Sequence, residues 1–344
     1  MGTKLKDLLE RKEITIADLQ HKILVVDSFN ILYQFLSTIR QRDGTLLTDS
    51  KGRVTSHITG LFARTTKLMQ SGLQLAFVFD GKPPKLKSQE TARRKEVKEK
   101  AKQEYEIAKQ REDIAGMQKY AARTSVLTGE MVEDAKKIIQ ALGLPIVQAP
   151  SEGEAQAAYL VKEGKAYAEI SQDMDCLLFG VPRLVRNLTI TERRKMPGRF
   201  GYVEVKPEMI LLEENLQRLG ITQDQLIVIG MLVGTDYNIG GIKGIGPKKA
   251  LELVKKYGNN FEKLFEEVHW KEAFTVEWKE IFELIQHMPV EETCKLEWRG
   301  LQKERLLQLL VEEHDFSKER VESQLEKLEQ ALGKRQQKGL GEFW

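Results

Sequence analysis

A chain of 344 residues, 41% hydrophobic and 31% charged, can bury a substantial core beneath a heavily charged surface. Its formal net charge of +3 is too small to argue for or against nucleic acid, so the distribution of charge has to decide. Two cysteines at unrelated spacing, Cys176 and Cys294, exclude a disulfide framework or a CxxC metal site, and no apolar run approaches the ~20 residues of a membrane helix. A non-membrane chain in a reducing, intracellular setting is expected.

The N-terminus, MGTKLKDLLERK, is charged from its fourth residue and lacks the apolar core of a signal peptide. Four β-type runs then follow, each stopping at an acidic or turn residue. They are ILVV (23–26) before Asp27, LAFVF (75–79) before Asp80, PIVQA (145–149) before Ser151 and Glu152, and YAEI (167–170) before Ser171, Asp173 and Asp175. Continuous apolar runs predict strands buried on both faces. Helix-like stretches between them, 55–72 and 129–143, predict βαβ units and a mostly parallel sheet flanked by helices, an α/β protein.

Residues 82–123 differ in kind, with thirteen Lys and Arg against seven Asp and Glu and few large aliphatics. They read as a helical hairpin held by i,i+4 charge pairs, or as a basic element projecting toward a polyanion. Further on come a possible strand at 202–205, a strongly apolar helix at 224–233, and GGIKGIGPKKALELV (240–254). The last reads as a helix–hairpin–helix turn: Gly241, Gly244 and Gly246 let backbone N–H groups approach a phosphate, and Lys243, Lys248 and Lys249 add sequence-independent attraction. Amphipathic helical runs fill 261–333, and GKRQQKGLGEFW closes the chain.

Parallel sheets build their sites beyond the carboxyl ends of the strands. Asp27, Asp80, Glu152 with Glu154, and Asp173 with Asp175 stand at four such ends, and Asp236 adds a seventh acid after the apolar helix. Any one of them reads as a helix N-cap, and Ser151 with Glu154 matches the S-x-x-E capping box. Capping does not require the whole array. Two carboxylates ~4 Å apart repel by about 4 kcal/mol at an effective dielectric near 20. Either some of the acids are protonated or divalent cations neutralise them, and oxygen-only donors suit Mg²⁺ or Mn²⁺ better than Zn²⁺. Two such ions serve in-line displacement at a phosphodiester. Lys87 and Arg94, two helical turns apart, could grip the scissile phosphate, and the Tyr33 ring either stacks on a base or packs in the core.

These segments resemble the flap structure-specific endonucleases of the 5′-nuclease superfamily, and their archaeal members in particular. The carriers are VVDSFNILYQFLSTIRQ (25–41), VFDGKPPKLK (78–87), VQAPSEGEAQAAYL (147–160), SQDMDCLLFG (171–180), RNLTITERRK (186–195) and LVGTDYNIGGIKGIGPKKAL (232–251). The resemblance implies a mixed central sheet of the PIN-like 5′-nuclease type. It also implies structure-specific 5′-flap endonuclease and 5′-to-3′ exonuclease activity, as in Okazaki fragment maturation and base excision repair. Asp27, Asp80, Glu152 and Glu154 match ligands of a first Mg²⁺ site, and Asp173, Asp175 and Asp236 those of a second, with Mn²⁺ as a substitute. Asp173, Lys87 and Arg94 carry catalysis by this correspondence, Tyr33 stacks near the scissile phosphate, and Arg40 and Arg64 bind DNA. The glycine turn implies duplex binding, with a possible K⁺.

Division into a nuclease region (1–81), an arch over the flap (82–128), a second nuclease region (129–258), helices (259–336) and a tail (337–344) follows. In that tail Gln337, Leu340, Phe343 and Trp344 resemble the box that docks on the sliding clamp PCNA. A monomer in the cytoplasm or nucleoid is expected. The alternatives are a related exonuclease or bubble nuclease, and a non-catalytic, clamp-tethered binder of branched DNA.

Overall fold

The computed structural model describes residues 5–189, 193–195 and 202–341, of which 193–195, 202–204 and 335–341 are described by backbone alone. Its strands are β1 (Lys12–Glu13), β2 (Ile23–Asp27), β3 (Gln74–Phe79), β4 (Ile146–Gln148), β5 (Ala168–Ile170), β6 (Arg183–Arg186), β7 (Arg193–Lys195), β8 (Tyr202–Glu204) and β9 (Glu208–Leu211). The main sheet runs β1-β9-β6-β5-β2-β3-β4, while β7 and β8 form a separate hairpin. Strands β2 to β6 are mutually parallel where they pair, and β9 and β1 add an antiparallel edge. The sheet is therefore mixed, and the four apolar runs are its contiguous parallel strands β5, β2, β3 and β4.

Helices cover both faces: α1 (Ser28–Thr38), α2 (Ser56–Gln70), α3 (Ser88–Gln110), α4 (Ile114–Ala121), α5 (Gly129–Ala141), α6 (Gly153–Lys162), α7 (Leu212–Leu219), α8 (Gln223–Val233), α9 (Pro247–Tyr257), α10 (Phe261–Glu267), α11 (Trp270–Ala273), α12 (Trp278–Gln286), α13 (Lys303–Leu307) and α14 (Lys318–Gly341). One apolar layer joins Val25, Val78 and Leu184 to α6, α8 and α9; the other joins Leu24, Val26, Phe77 and Phe79 to α1, α2, α5 and α14. Alternate residues of each central strand thus enter different cores, which is why those strands read as unbroken apolar runs. A stretch near residue 300 is tied to the end of α5, where Arg299 and Gln302 donate their N–H groups to the Gly143 and Ala141 carbonyls at 2.8 Å.

The basic segment is a helical hairpin, α3 and α4, as its composition implied. Its small side chains are what pack: Ala101, Ala108 and Ala121 are buried, whereas Val97 and Ile107 are exposed. Asp113 caps α4 by accepting from the Gly116 N–H at 2.9 Å. The backbone of α14 continues through the expected start of the tail as far as Gly341.

Candidate active site

All seven predicted acids gather at one rim, beyond the C-terminal ends of the parallel strands. Asp27 ends β2 and caps α1, its Oδ1 accepting from the Asn30 N–H at 3.0 Å and its Oδ2 from the Ser171 hydroxyl at 3.1 Å. Asp80 follows β3, and its Oδ1 accepts from the Gly153 N–H at 2.6 Å. Glu152 and Glu154 stand at the start of α6. Asp173 donates its N–H to Ser171 Oγ at 3.1 Å, and Asp175 donates its own to Asp173 Oδ1 at 3.1 Å. Asp236 sits in a turn held by Thr235 Oγ1 on Asn238 Oδ1 at 2.6 Å and by Asn238 Nδ2 on the Met231 carbonyl at 2.6 Å. A small cleft is lined by Lys87, Glu152, Glu154, Asp175, Asp236 and Tyr237.

The apparent capping box does not form. Glu152, one residue later than expected, occupies the N-cap of α6 without a side-chain cap bond, and the Ser151 hydroxyl donates to the Lys82 carbonyl at 3.2 Å. Both glutamates are thereby left to face the cleft.

Burial and repulsion from neighbouring acids hold three of them, Asp27, Asp80 and Glu154, toward their neutral form. Asp27 is pushed up to about 7, by burial first and then by Asp80; Asp80 rises to about 6 through burial and Glu152. Glu154 is raised well above its ordinary value by burial and then by Asp173 and Asp27. Two cations partly compensate. Lys87 Nζ lies 2.6 Å from Glu152 and 3.3 Å from Asp236, and Arg94 Nη2 lies 2.7 Å from Asp236. Burial works against the charge on both, yet the acids outweigh it and raise the two pKa values. Lys87 stands in a short turn at 85–87 and Arg94 in α3, and they converge on Asp236.

Among the described residues no three His, Cys, Asp or Glu side chains close around one ion-sized position. The donors are nevertheless all hard carboxylate oxygens on neighbouring strand and helix ends, the class of ligand that Mg²⁺ and Mn²⁺ prefer. The residues present fit a divalent ion of that kind.

Other predicted residues are distributed as follows. Tyr33 is 37% exposed, so it is no core residue, and Lys98 of α3 lies over its ring at 5.1 Å. Arg64 is half-buried on α2. Arg40 is turned inward, donating to the Gly44 carbonyl at 2.8 Å and to Ser125 Oγ at 2.7 Å, which ties the segment just beyond α4 to the loop after α1. At the helix–hairpin–helix turn Lys243, Lys248 and Lys249 are exposed, Gly244 takes φ +81°, and Gly246 caps α9 ahead of Pro247. At Gly241 a Cβ would overlap the Leu232 carbonyl and Val233, so close packing on α8 also requires a glycine there. Gln337 and Leu340 fall on the backbone of α14, while Phe343 and Trp344 lie outside the described residues.

Three participants escape the sequence. Ser171 bridges Asp27 and Asp173. Glu90, 3% exposed, binds Arg93 and Arg94 at 2.6 Å each; its i,i+4 spacing to Arg94 was the available signal. Glu169 is fully buried behind the rim.

Family models for the XPG N-terminal domain and the XPG I-region match residues 1–101 and 143–236. The chain is 50% identical to Flap endonuclease 1 of Staphylothermus marinus over 335 residues, 96% of this chain and 95% of the relative. It is 48% identical to that of Pyrococcus furiosus over 344 residues, 100% and 99% of the two chains. Among solved structures, flap endonuclease-1 from Methanococcus jannaschii aligns with a TM-score of 0.76 at 40% identity, covering 97% of this chain and 100% of that one. The catalytic core of Rad2 in complex with DNA substrate shares the fold at a TM-score of 0.68 and 23% identity, covering 95% and 100%. With a shared fold, half of all residues identical and both nuclease regions matched, the chain belongs to the flap endonuclease family.

Proposed function

We propose that the chain is a structure-specific 5′-flap endonuclease with 5′-to-3′ exonuclease activity, hydrolysing branched DNA near the junction of single and double strand. Seven acids delivered to one rim, with Lys87 and Arg94 leaning onto them from the base of a basic arch, carry this reading. A DNA binder gains nothing from such concentrated negative charge. Asp27, Asp80, Glu152 and Glu154 would hold one divalent ion, and Asp173, Asp175 and Asp236 a second, Mg²⁺ or Mn²⁺. When bound, the pair supplies the Lewis acidity that in-line displacement at phosphorus needs.

The protein's own groups do the rest. With Glu152 and Asp236 neutralised, Lys87 and Arg94 would be free to face the phosphate oxygens on which charge develops. Tyr33 offers an exposed ring for a base, and Lys98 above it is a cation for the neighbouring phosphate. The turn from Gly241 to Gly246 and the lysines that follow bind the duplex, with K⁺ as a candidate ion there. The tail residues Gln337, Leu340, Phe343 and Trp344 dock on the sliding clamp PCNA. The chain works as a monomer with the genome, in the nucleoid, during Okazaki fragment maturation and base excision repair.

Replacing Asp173 with alanine tests the core of this. Cleavage of a double flap in Mg²⁺ should fall by on the order of 10²–10³-fold, while binding of the flap in EDTA stays near wild type. Unchanged cleavage would remove the acid array from the chemistry.

A further inference from the structure

We propose that Glu169 is an eighth acid of the metal centre, a buried carboxylate behind the ring that strengthens ion binding without touching the ions. The proposal rests on the two-ion reading above. Glu169 lies on β5 and pairs with Val25 of β2 and Leu184 of β6, both wholly buried. Register partners in parallel strands share a face, so Glu169 interrupts an apolar row. Packing alone calls for an aliphatic residue there. Neither carboxylate oxygen has a hydrogen-bond partner among the described residues; only the weakly donating Cys176 thiol faces it. A buried carboxyl without partners is costly, and nothing in the row offsets it.

Its placement relative to the rim supplies a reason. Asp27 lies two residues beyond Val25 on the same strand, hence on the same face and about 7 Å further toward the rim. The charges acting on Glu169 are those of Asp27 and Asp173, and Glu154 in turn responds to Glu169. These three acids come from three separate segments, the end of β2, the loop after β5 and the start of α6, so Glu169 stands behind the middle of the ring. Each of these charges is negative. Only cations held in the ring would make an acid favourable at this position.

Calorimetric titration of the full chain with Mn²⁺, without DNA, tests this on wild type, E169Q and E169L, alongside thermal melting in EDTA. Both variants should bind Mn²⁺ about tenfold more weakly, the order of effect of removing one carboxylate charge several ångströms from the ions. Their melting temperatures in EDTA should equal or exceed that of wild type, because a partnerless buried acid has gone. Wild type that binds no Mn²⁺ would overturn the two-ion reading itself. Wild type that binds, with a folded variant within twofold of it, would overturn the role of Glu169 alone. Weaker binding accompanied by a lower melting temperature in EDTA would also overturn it, since general damage would then explain both. If E169Q does not fold, E169L, which restores the apolar row, decides.

Discussion

Only a hydrogen fits at position 153 beside the Asp80 carboxylate. The Gly153 N–H donates to Asp80 Oδ1 at 2.6 Å, and a Cβ there would overlap that same oxygen. The room beside this glycine thus belongs to an acid of the ring. Replacing Gly153 with alanine should displace Asp80 and lower flap cleavage by about 100-fold, the scale of a 1 Å misplacement, with the circular dichroism spectrum unchanged. Wild-type cleavage would show that the Asp80 position is not critical. Protonation follows from the same crowding. Without ions, folded Asp27 keeps its proton to about 7, whereas the unfolded chain releases it near 4. The folded state then binds more protons across this interval, so this carboxyl costs stability increasingly as pH rises from about 4 to about 7. D27N preserves an oxygen for the cap on α1 and removes the charge. In EDTA it should melt a few degrees above wild type at pH ~7.5 and level with it at pH ~4. A variant that melts lower at the higher pH would contradict the burial argument. The acids were legible in the sequence because each follows an apolar run or helix; Glu169 was not, because it lies inside one.

At the level of elements, the α3–α4 hairpin shows what composition can and cannot reveal. Its charge pattern gives a helical hairpin correctly, but the contacts that seat it are tertiary. Arg40 links the loop at Gly44 to Ser125 beyond α4, and Gln118 Nε2 donates to the Arg42 carbonyl at 2.7 Å. Arg40 and Ser125 are 85 residues apart in sequence, Gln118 and Arg42 76 apart, and no local period connects them. R40A should loosen the base of the α3–α4 hairpin, so limited proteolysis should cut within 82–125 several-fold faster while the rest of the chain resists. Equal proteolysis of wild type and R40A would contradict this seating role. The start of α6 gives the complementary lesson: a capping pattern was present, and a one-residue shift in the helix start cancelled it. The Asp80–Gly153 bond holds that start in place, and because it joins two strand ends it cannot be read locally.

Across the whole molecule, the four apolar runs located the parallel part of the sheet and with it the site. The antiparallel edge stayed hidden for physical reasons. Two charged residues make up β1, and β6, which pairs with that edge, carries an arginine at each end. Such charged or arginine-flanked strands carry too short an apolar run to announce themselves; pairing in the sheet is what defines them. Family membership is carried by nearly the whole length of the sequence, since 50% identity extends over 96% of it. The decisive measurement is cleavage of double-flap, single-flap, bubble and nicked substrates in Mg²⁺, mapped to the nucleotide. The double flap should be incised in preference to the others, one nucleotide into the duplex, with no cleavage in EDTA. Equal cleavage of all four substrates, or binding of the flap without any incision, would contradict this function.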